Sequence, residues 1–262
     1  MNTLSKDVVN IVFFSGMFGK SERVFSTFTQ NLRRKLIHRE CRYHYLSLKG
    51  HDRPGGVQPY SLGTYFRDLR IRVKTIAETG DVLAIGHSLG GLIAKFVLEE
   101  VLNSIGVASI ASAPIPKTPL PWQVQWTILR NPLYLRAMWK REVFKLERRD
   151  ANWIMFNSLS QERADRVFKT MTPESGPLLW EIATRQFREG KNILNPQSLF
   201  CPLLEISGKE DKTCPPRFGK KITNFYKKRG IDAQHVVLPG GHFSVLENPQ
   251  TADVVADQFF TD

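Results

Sequence analysis

From Val8 to Ile110 the chain alternates short apolar runs with longer stretches of helical spacing. Val8 to Phe14, Arg42 to Leu48, Asp81 to Ile85 and Val107 to Ile110 read as strands. Ser21 to His38, opened by a serine cap, Leu62 to Glu78 and Leu89 to Leu102 read as helices. Within Leu62 to Glu78 the apolar positions Tyr65, Leu69, Val73 and Ile76 keep close to the helical period. Strands separated by helices pair in parallel, because each must return across the sheet before pairing again. The expected fold is α/β, a doubly wound, mostly parallel sheet.

The rhythm breaks at Pro114. The stretch Pro114-Ile115-Pro116-Lys117-Thr118-Pro119-Leu120-Pro121 can be neither regular helix nor central strand. Helical stretches rich in tryptophan and arginine follow, up to Asn195. The strand signal returns at Cys201 to Ile206, then a helix from Arg217 to Lys228, a strand at Gln234 to Leu238 and a helix from Pro249 to Phe260. One α/β core, 1–113 and 196–262, is therefore expected to carry a helical lid at 114–195.

Apolar residues make up 42% of the chain and charged residues 24%, the balance of a soluble globular protein. No run approaches the roughly 18 apolar residues that mark a bilayer span. Met1 to Lys6 leads straight into the first strand, with no cleavage site of a secretory signal. Cys41, Cys201 and Cys214 have neither redox nor metal-ligand spacing and read as small buried or partly buried thiols. A cytoplasmic protein is expected. The net charge of +12 sits in the first sixty residues and in 115–195. No helix-turn-helix, zinc-finger or RNA-binding signature accompanies it, so nucleic acid is not an expected partner. The charge reads first as a solvated surface, and second as a face for peripheral contact with an anionic membrane.

Gly86-His87-Ser88-Leu89-Gly90 lies where a strand ends and a helix begins. A serine on such a turn is strained and projects its hydroxyl clear of the sheet, and the positions two before and two after must be small. The helix opening at Leu89 points its free amides at an oxyanion developing beside Ser88. A serine hydroxyl needs a base. His242, on the loop after the last strand, supplies one. His38 and His44 read as surface residues and His235 as structural, while His51 lies on a loop near the site. Asp211 is the expected partner of His242, with Glu210 its adjacent competitor. The oxyanion donors are then the amide of Leu89 and one from the turn after the first strand, Met17 or else Phe18.

These residues resemble the α/β-hydrolase superfamily over nearly the whole chain. The likeness runs from the Ser15-Gly16 turn, where the family usually has His-Gly, through Leu48 to Asp52 and the Ser88 turn. It continues through Gly208-Lys209-Glu210-Asp211-Lys212-Thr213-Cys214-Pro215 to the stretch His242 to Pro249. Pro173-Glu174-Ser175 looks like a stretch in small bacterial carboxylesterase-like and lipase-like members. The resemblance implies the same sheet with a helical lid and two-step acyl transfer without metal or organic cofactor. The expected substrate is a small-molecule ester or thioester with a lipophilic acyl group. Phe18, His87, Trp122 and Trp126 are expected to touch it. The five tryptophans of the insertion otherwise read as the lid's own core, or as a basic, aromatic membrane face. A lyase or acyltransferase on the same residues, or a ligand-binding protein without turnover, are the alternatives.

Overall fold

A computed structural model describes residues 8–184, 188–189, 192–193 and 199–260 of the chain. The readings made on Met1 to Lys6 and on the boundary between 195 and 196 lie outside the described residues. The order begins β1 (Val9–Phe14), α1 (Ser21–Val24), α2 (Ser26–Lys35), β2 (Cys41–Leu46), α3 (Leu62–Ala77), β3 (Asp81–His87), α4 (Leu89–Leu98) and β4 (Ser104–Ile110). The insertion carries α5 (Trp122–Leu129), α6 (Pro132–Lys140), β5 (Val143–Phe144), α7 (Arg148–Ile154), α8 (Gln161–Lys169), β6 (Glu174–Ser175), α9 (Gly176–Thr184), β7 (Arg188–Glu189) and β8 (Asn192–Ile193). The chain then closes with β9 (Leu203–Gly208), α10 (Pro216–Lys227), β10 (Ala233–Leu238), α11 (Ser244–Glu247) and α12 (Pro249–Phe260).

Six strands form one sheet in the order β10-β9-β4-β3-β1-β2, and every neighbouring pair is parallel. Both faces are covered, so the inner strands β1, β3, β4 and β9 are buried almost throughout, while the edge strands β2 and β10 are not. Along β1, Ile11 and Phe13 pack with Phe25, Phe28 and Leu32 and with Val255 of α12. Val12 and Phe14 pack on the opposite face with Tyr65, Leu69 and the residues of α4. The order reverses between β1 and β3: the chain steps from β1 outwards to β2, then back past β1 to β3. The loops leaving β1 and β3 thus diverge at adjacent carboxyl ends, which is where an open α/β sheet forms a crevice.

Ser61 caps α3, accepting from the Thr64 amide at 3.3 Å, and the expected 3.6-residue stripe buries Tyr65, Leu69 and Val73. All ten residues of α4 are buried. Such an all-apolar helix belongs between layers, and its one charge, Lys95, is neutralised inside. The Lys95 Nζ meets Glu205 Oε1 at 2.6 Å and donates to Ser109 and Ser112 at 2.9 and 3.0 Å. This ties α4 to β4 and β9 beneath the crevice.

Two local expectations fail. The first helix breaks at Phe25 into α1 and α2, and Ser21 does not cap it. Instead the Ser21 hydroxyl donates to the Phe13 carbonyl at 2.9 Å and its amide to Ser47 Oγ at 2.8 Å, which pins the segment to the sheet. The insertion also holds two short antiparallel pairs, β5 with β6 and β7 with β8, each too brief to leave a period-two signal. A third core cluster fills the insertion, built on Phe18, Tyr134, Phe144, Leu146, Met155 and Phe243. No helix among the described residues is long and apolar enough to cross a membrane.

Candidate active site

Ser88 sits between β3 and α4 with φ 56° and ψ −123°, a conformation that costs a non-glycine residue about 1–3 kcal/mol. The strain persists because the neighbours fix it. A Cβ on Gly86 would run into the Gly90 carbonyl, and one on Gly90 into the Phe14 carbonyl of β1. The turn is therefore wedged against β1 and cannot relax. The Ser88 amide bonds the Ile110 carbonyl at 3.0 Å.

The hydroxyl of Ser88 lies 3.0 Å from Nε2 of His242, and Nδ1 of His242 lies 2.8 Å from Oδ2 of Asp211. The His242 and Asp211 side chains are fully shielded from solvent. With a carboxylate at Nδ1, the neutral ring carries its proton there. Nε2 is left as an acceptor facing the Ser88 hydroxyl, which donates to it. Asp211 is held in turn: its Oδ1 accepts from the amides of Thr213 and Cys214 at 2.7 and 2.8 Å. Glu210, the competitor, turns away and accepts from the Gly240 amide at 2.6 Å.

His87 does not face the cavity above Ser88. It is buried behind His242, its ring centroid 4.8 Å from that ring, and its Nε2 donates to the His242 carbonyl at 2.8 Å. Burial, and then the neighbouring His242, push its pKa down to about 3, so it stays neutral. His87 thus braces His242 and does not line the cavity. His51 is likewise buried away from the cavity, paired with Glu174 at 3.1 Å. His235 bonds Ser207 at 2.9 Å within the fold, and His44, read as a surface residue, is half-buried and bonds Asn10 at 2.9 Å.

Above Ser88 lies an apolar cavity of about 110 Å³. Its walls come from Met17, Phe18, Leu89 and Ala113 of the core, and from Pro114, Leu120, Val124, Ile128, Tyr134, Phe144, Leu146, Ile154, Met155, Leu179 and Ile182 of the insertion. Thr127, Thr213 and Cys214 add the few polar atoms. As the first residue of α4, Leu89 has an amide with no partner inside the helix. The Met17 amide has no hydrogen-bond partner among the described residues. The Phe18 amide is already taken, donating to Glu174 Oε2 at 3.3 Å. Ser15, standing where histidine is usual, closes the same turn by donating to the Gly19 carbonyl at 2.9 Å.

Trp122 and Trp126 do not line this cavity. They are 62% and 54% exposed, and α5 turns Val124, Thr127 and Ile128 inwards instead. Residues 124, 127 and 128 share one side of a helix, whereas 122, 126 and 129 share the other. Trp139, Trp153 and Trp180 are also exposed, so the insertion's core is made without its tryptophans. The sequence reading missed Tyr134, Leu146 and Met155, which lie far apart along the insertion and share no common period.

Asp211, Cys214 and His242 are the one grouping among the described residues whose ligand-type atoms lie within 4.8 Å of one another. Their chemistry does not fit a cation site. The carboxylate and both imidazole nitrogens are already committed to one another, to two amides and to Ser88. Burial, with the neighbouring carboxylates, raises the pKa of Cys214 and keeps it a thiol.

Residues 11–257 match the sequence profile described as the alpha/beta hydrolase family. No curated protein matches the chain by sequence. Among solved structures, an extracellular alpha/beta-hydrolase from a Paenibacillus species is similar over 97% of this chain and 100% of its own, with a TM-score of 0.69 and 15% identity. A thermophilic esterase from Thermogutta terrifontis is similar over 95% and 89%, with a TM-score of 0.62 and 18% identity. A monoacylglycerol lipase from Paleococcus ferrophilus is similar over 89% and 85%, with a TM-score of 0.59 and 18% identity. At such identities the likeness is one of fold.

Proposed function

The chain belongs to the alpha/beta hydrolase family, and on that footing we propose that it is a serine hydrolase cleaving a carboxylic ester or thioester with a lipophilic acyl group. The observation that carries this reading is the hydrogen-bonded line from Asp211 through His242 to Ser88, ending at an apolar cavity. In the first step the Ser88 oxygen attacks the acyl carbonyl while His242 Nε2 takes its proton. Asp211 stabilises the imidazolium that forms. The carbonyl oxygen becomes an oxyanion between the amides of Met17 and Leu89, where loss of one donor is worth about 10²–10³ in rate. His242 then protonates the departing alcohol or thiol. In the second step His242 removes a proton from water, the resulting hydroxide attacks the acyl-enzyme, and the acid leaves as Ser88 regains its proton.

The insertion acts in this reading as a lid. Its apolar side chains face the reacting bond, exclude water and select the acyl group. The few polar atoms in the lining favour a hydrocarbon chain over a charged acid.

The test is labelling with a fluorophosphonate probe together with turnover of p-nitrophenyl esters of graded chain length. We expect stoichiometric labelling and turnover of wild type, both lost in Ser88→Ala. Folded wild type that takes no label overturns the reading. Labelling without ester turnover transfers it to a lyase or acyltransferase on the same residues.

A further inference from the structure

Glu174 is a carboxylate with no solvent exposure, and the Ser88 chemistry does not use it. It belongs to β6 of the insertion, yet three of its four partners are in the core. Its Oε2 accepts from the Phe18 amide at 3.3 Å and faces His51 Nε2 at 3.1 Å. Its Oε1 accepts from the Tyr65 hydroxyl at 3.0 Å and from the Ser175 amide at 2.8 Å. We propose that Glu174 is a positioning residue, which clamps the turn after β1 so that the Met17 amide faces the reacting oxygen. The inference rests on the function proposed above.

Three observations support it. First, the turn needs a clamp. Phe18 has φ 64°, a left-handed conformation that a phenylalanine holds only where its surroundings impose it. Both of its backbone polar groups are held by the insertion: the amide by Glu174, and the carbonyl by the Thr172 amide at 2.8 Å. Second, the clamp decides which amide is free. With Phe18 occupied, Met17 is the adjacent amide without a partner among the described residues, and Met17 lines the cavity beside Ser88 and Leu89.

Third, the carboxylate is anchored from the rigid side. Tyr65 belongs to α3, and its hydroxyl is kept protonated by burial and by Glu174. His51 follows β2, and both of its ring nitrogens face acceptors, the Leu48 carbonyl at 3.2 Å and Glu174 at 3.1 Å. A ring protonated at both nitrogens satisfies both. Burial works against that charge. The charge and hydrogen bond of Glu174, with the Leu48 and Lys49 carbonyls, outweigh it and hold the His51 pKa above its ordinary value. The result is a fixed histidine–carboxylate pair in contact with the turn. A carboxylate buried among apolar neighbours would otherwise be costly.

The test compares Glu174→Gln and Tyr65→Phe with wild type in three measurements: steady-state kinetics on a p-nitrophenyl ester, affinity for an apolar trifluoromethyl ketone, and backbone hydrogen exchange over Phe14 to Gly19. The ketone forms a tetrahedral adduct on serine, so its affinity reads oxyanion binding. A displaced donor predicts a kcat about tenfold to a hundredfold lower in Glu174→Gln. KM should stay within about twofold, ketone affinity should fall in step with kcat, and exchange over the turn should quicken. Tyr65→Phe should move the same quantities in the same direction by less. Glu174→Gln that folds normally with kcat, ketone affinity and exchange unchanged overturns the proposal. If that variant does not fold, Tyr65→Phe with all three unchanged overturns it. Ser88→Ala that retains wild-type turnover removes the proposed function, and with it the catalytic role of the clamp. Exchange in Glu174→Gln then still decides whether Glu174 holds the turn.

Discussion

One buried histidine–carboxylate pair ends at Ser88 and another at the Phe18 amide, and they differ in what the second ring nitrogen faces. His242 and Asp211 lie 2.8 Å apart, and the second nitrogen of His242 faces a hydroxyl. His51 and Glu174 lie 3.1 Å apart, and the second nitrogen of His51 faces a carbonyl. A hydroxyl can give up a proton to the ring; a carbonyl cannot. The first ring therefore faces a group that can hand it a proton, and the second is held between two fixed acceptors with its pKa above the ordinary value. Pairing with a buried acid does not make a histidine a base. What the other nitrogen faces decides it.

That difference is broken most severely at Asp211. Asp211→Asn keeps an oxygen for the Thr213 and Cys214 amides but presents an amide where His242 needs an acceptor. The ring is then held in the wrong tautomer, and kcat should fall about 10⁴-fold. Stability should change by no more than about 1 kcal/mol, since shape and most hydrogen bonds survive. Ester turnover and urea unfolding check both halves. A kcat loss below tenfold would contradict the role given to this pair.

The second pair should answer in the opposite currency. His51→Leu leaves Glu174 charged and uncompensated in the interior, which costs about 3–5 kcal/mol. In the double variant His51→Leu with Glu174→Leu, no buried charge remains and part of that loss should return, although Phe18, Tyr65 and Ser175 each lose an acceptor. Urea midpoints at constant m-value measure it. Equal destabilisation by His51→Leu and Asp211→Asn would erase the contrast.

The two pairs also differ in how far the sequence discloses them. Ser88 lies on a strand-to-helix junction visible from five consecutive residues, and Asp211 and His242 follow strands in the expected chain order. Each signal is local, and only the assembly is tertiary. The sheet is legible for the same reason, because short apolar runs alternating with stretches of helical period are written along the backbone. His51 and Glu174 are 123 positions apart, and nothing local marks them as partners. The one hint is the resemblance of Pro173-Glu174-Ser175 to a stretch in other members, which marks Glu174 without pointing to His51. Trp122 and Trp126 mark the same limit. Spacing says that they share a side of α5, but which side meets the cavity depends on packing with residues distant in sequence, and it is Val124, Thr127 and Ile128 that join Phe144, Leu146 and Met155 there. Periodicity gives a helix its faces, and packing gives them their direction.

A third buried histidine provides the finest test. His87 has no acid beside it and stays neutral down to about pH 3, whereas a histidine in the unfolded chain takes a proton near pH 6.5. Between those values the unfolded chain binds one proton more, so this residue's contribution to stability is complete above pH 6.5 and is lost as the pH falls. The limiting slope is about 1.4 kcal/mol per pH unit. His51 has the opposite sign: its pKa is raised on folding, so its contribution is complete below pH 6.5 and fades as the pH rises through the folded value. Urea unfolding between pH 7.5 and 4.5 separates them (an interval chosen to straddle about pH 6.5). In His87→Gln the amide still reaches the His242 carbonyl but nothing titrates, so the acid limb should be shallower by about 1.4 kcal/mol per unit. If His87→Gln and wild type lose stability in parallel, His87 is not held neutral, and the ring behind the base carries a charge that would oppose the imidazolium forming on His242.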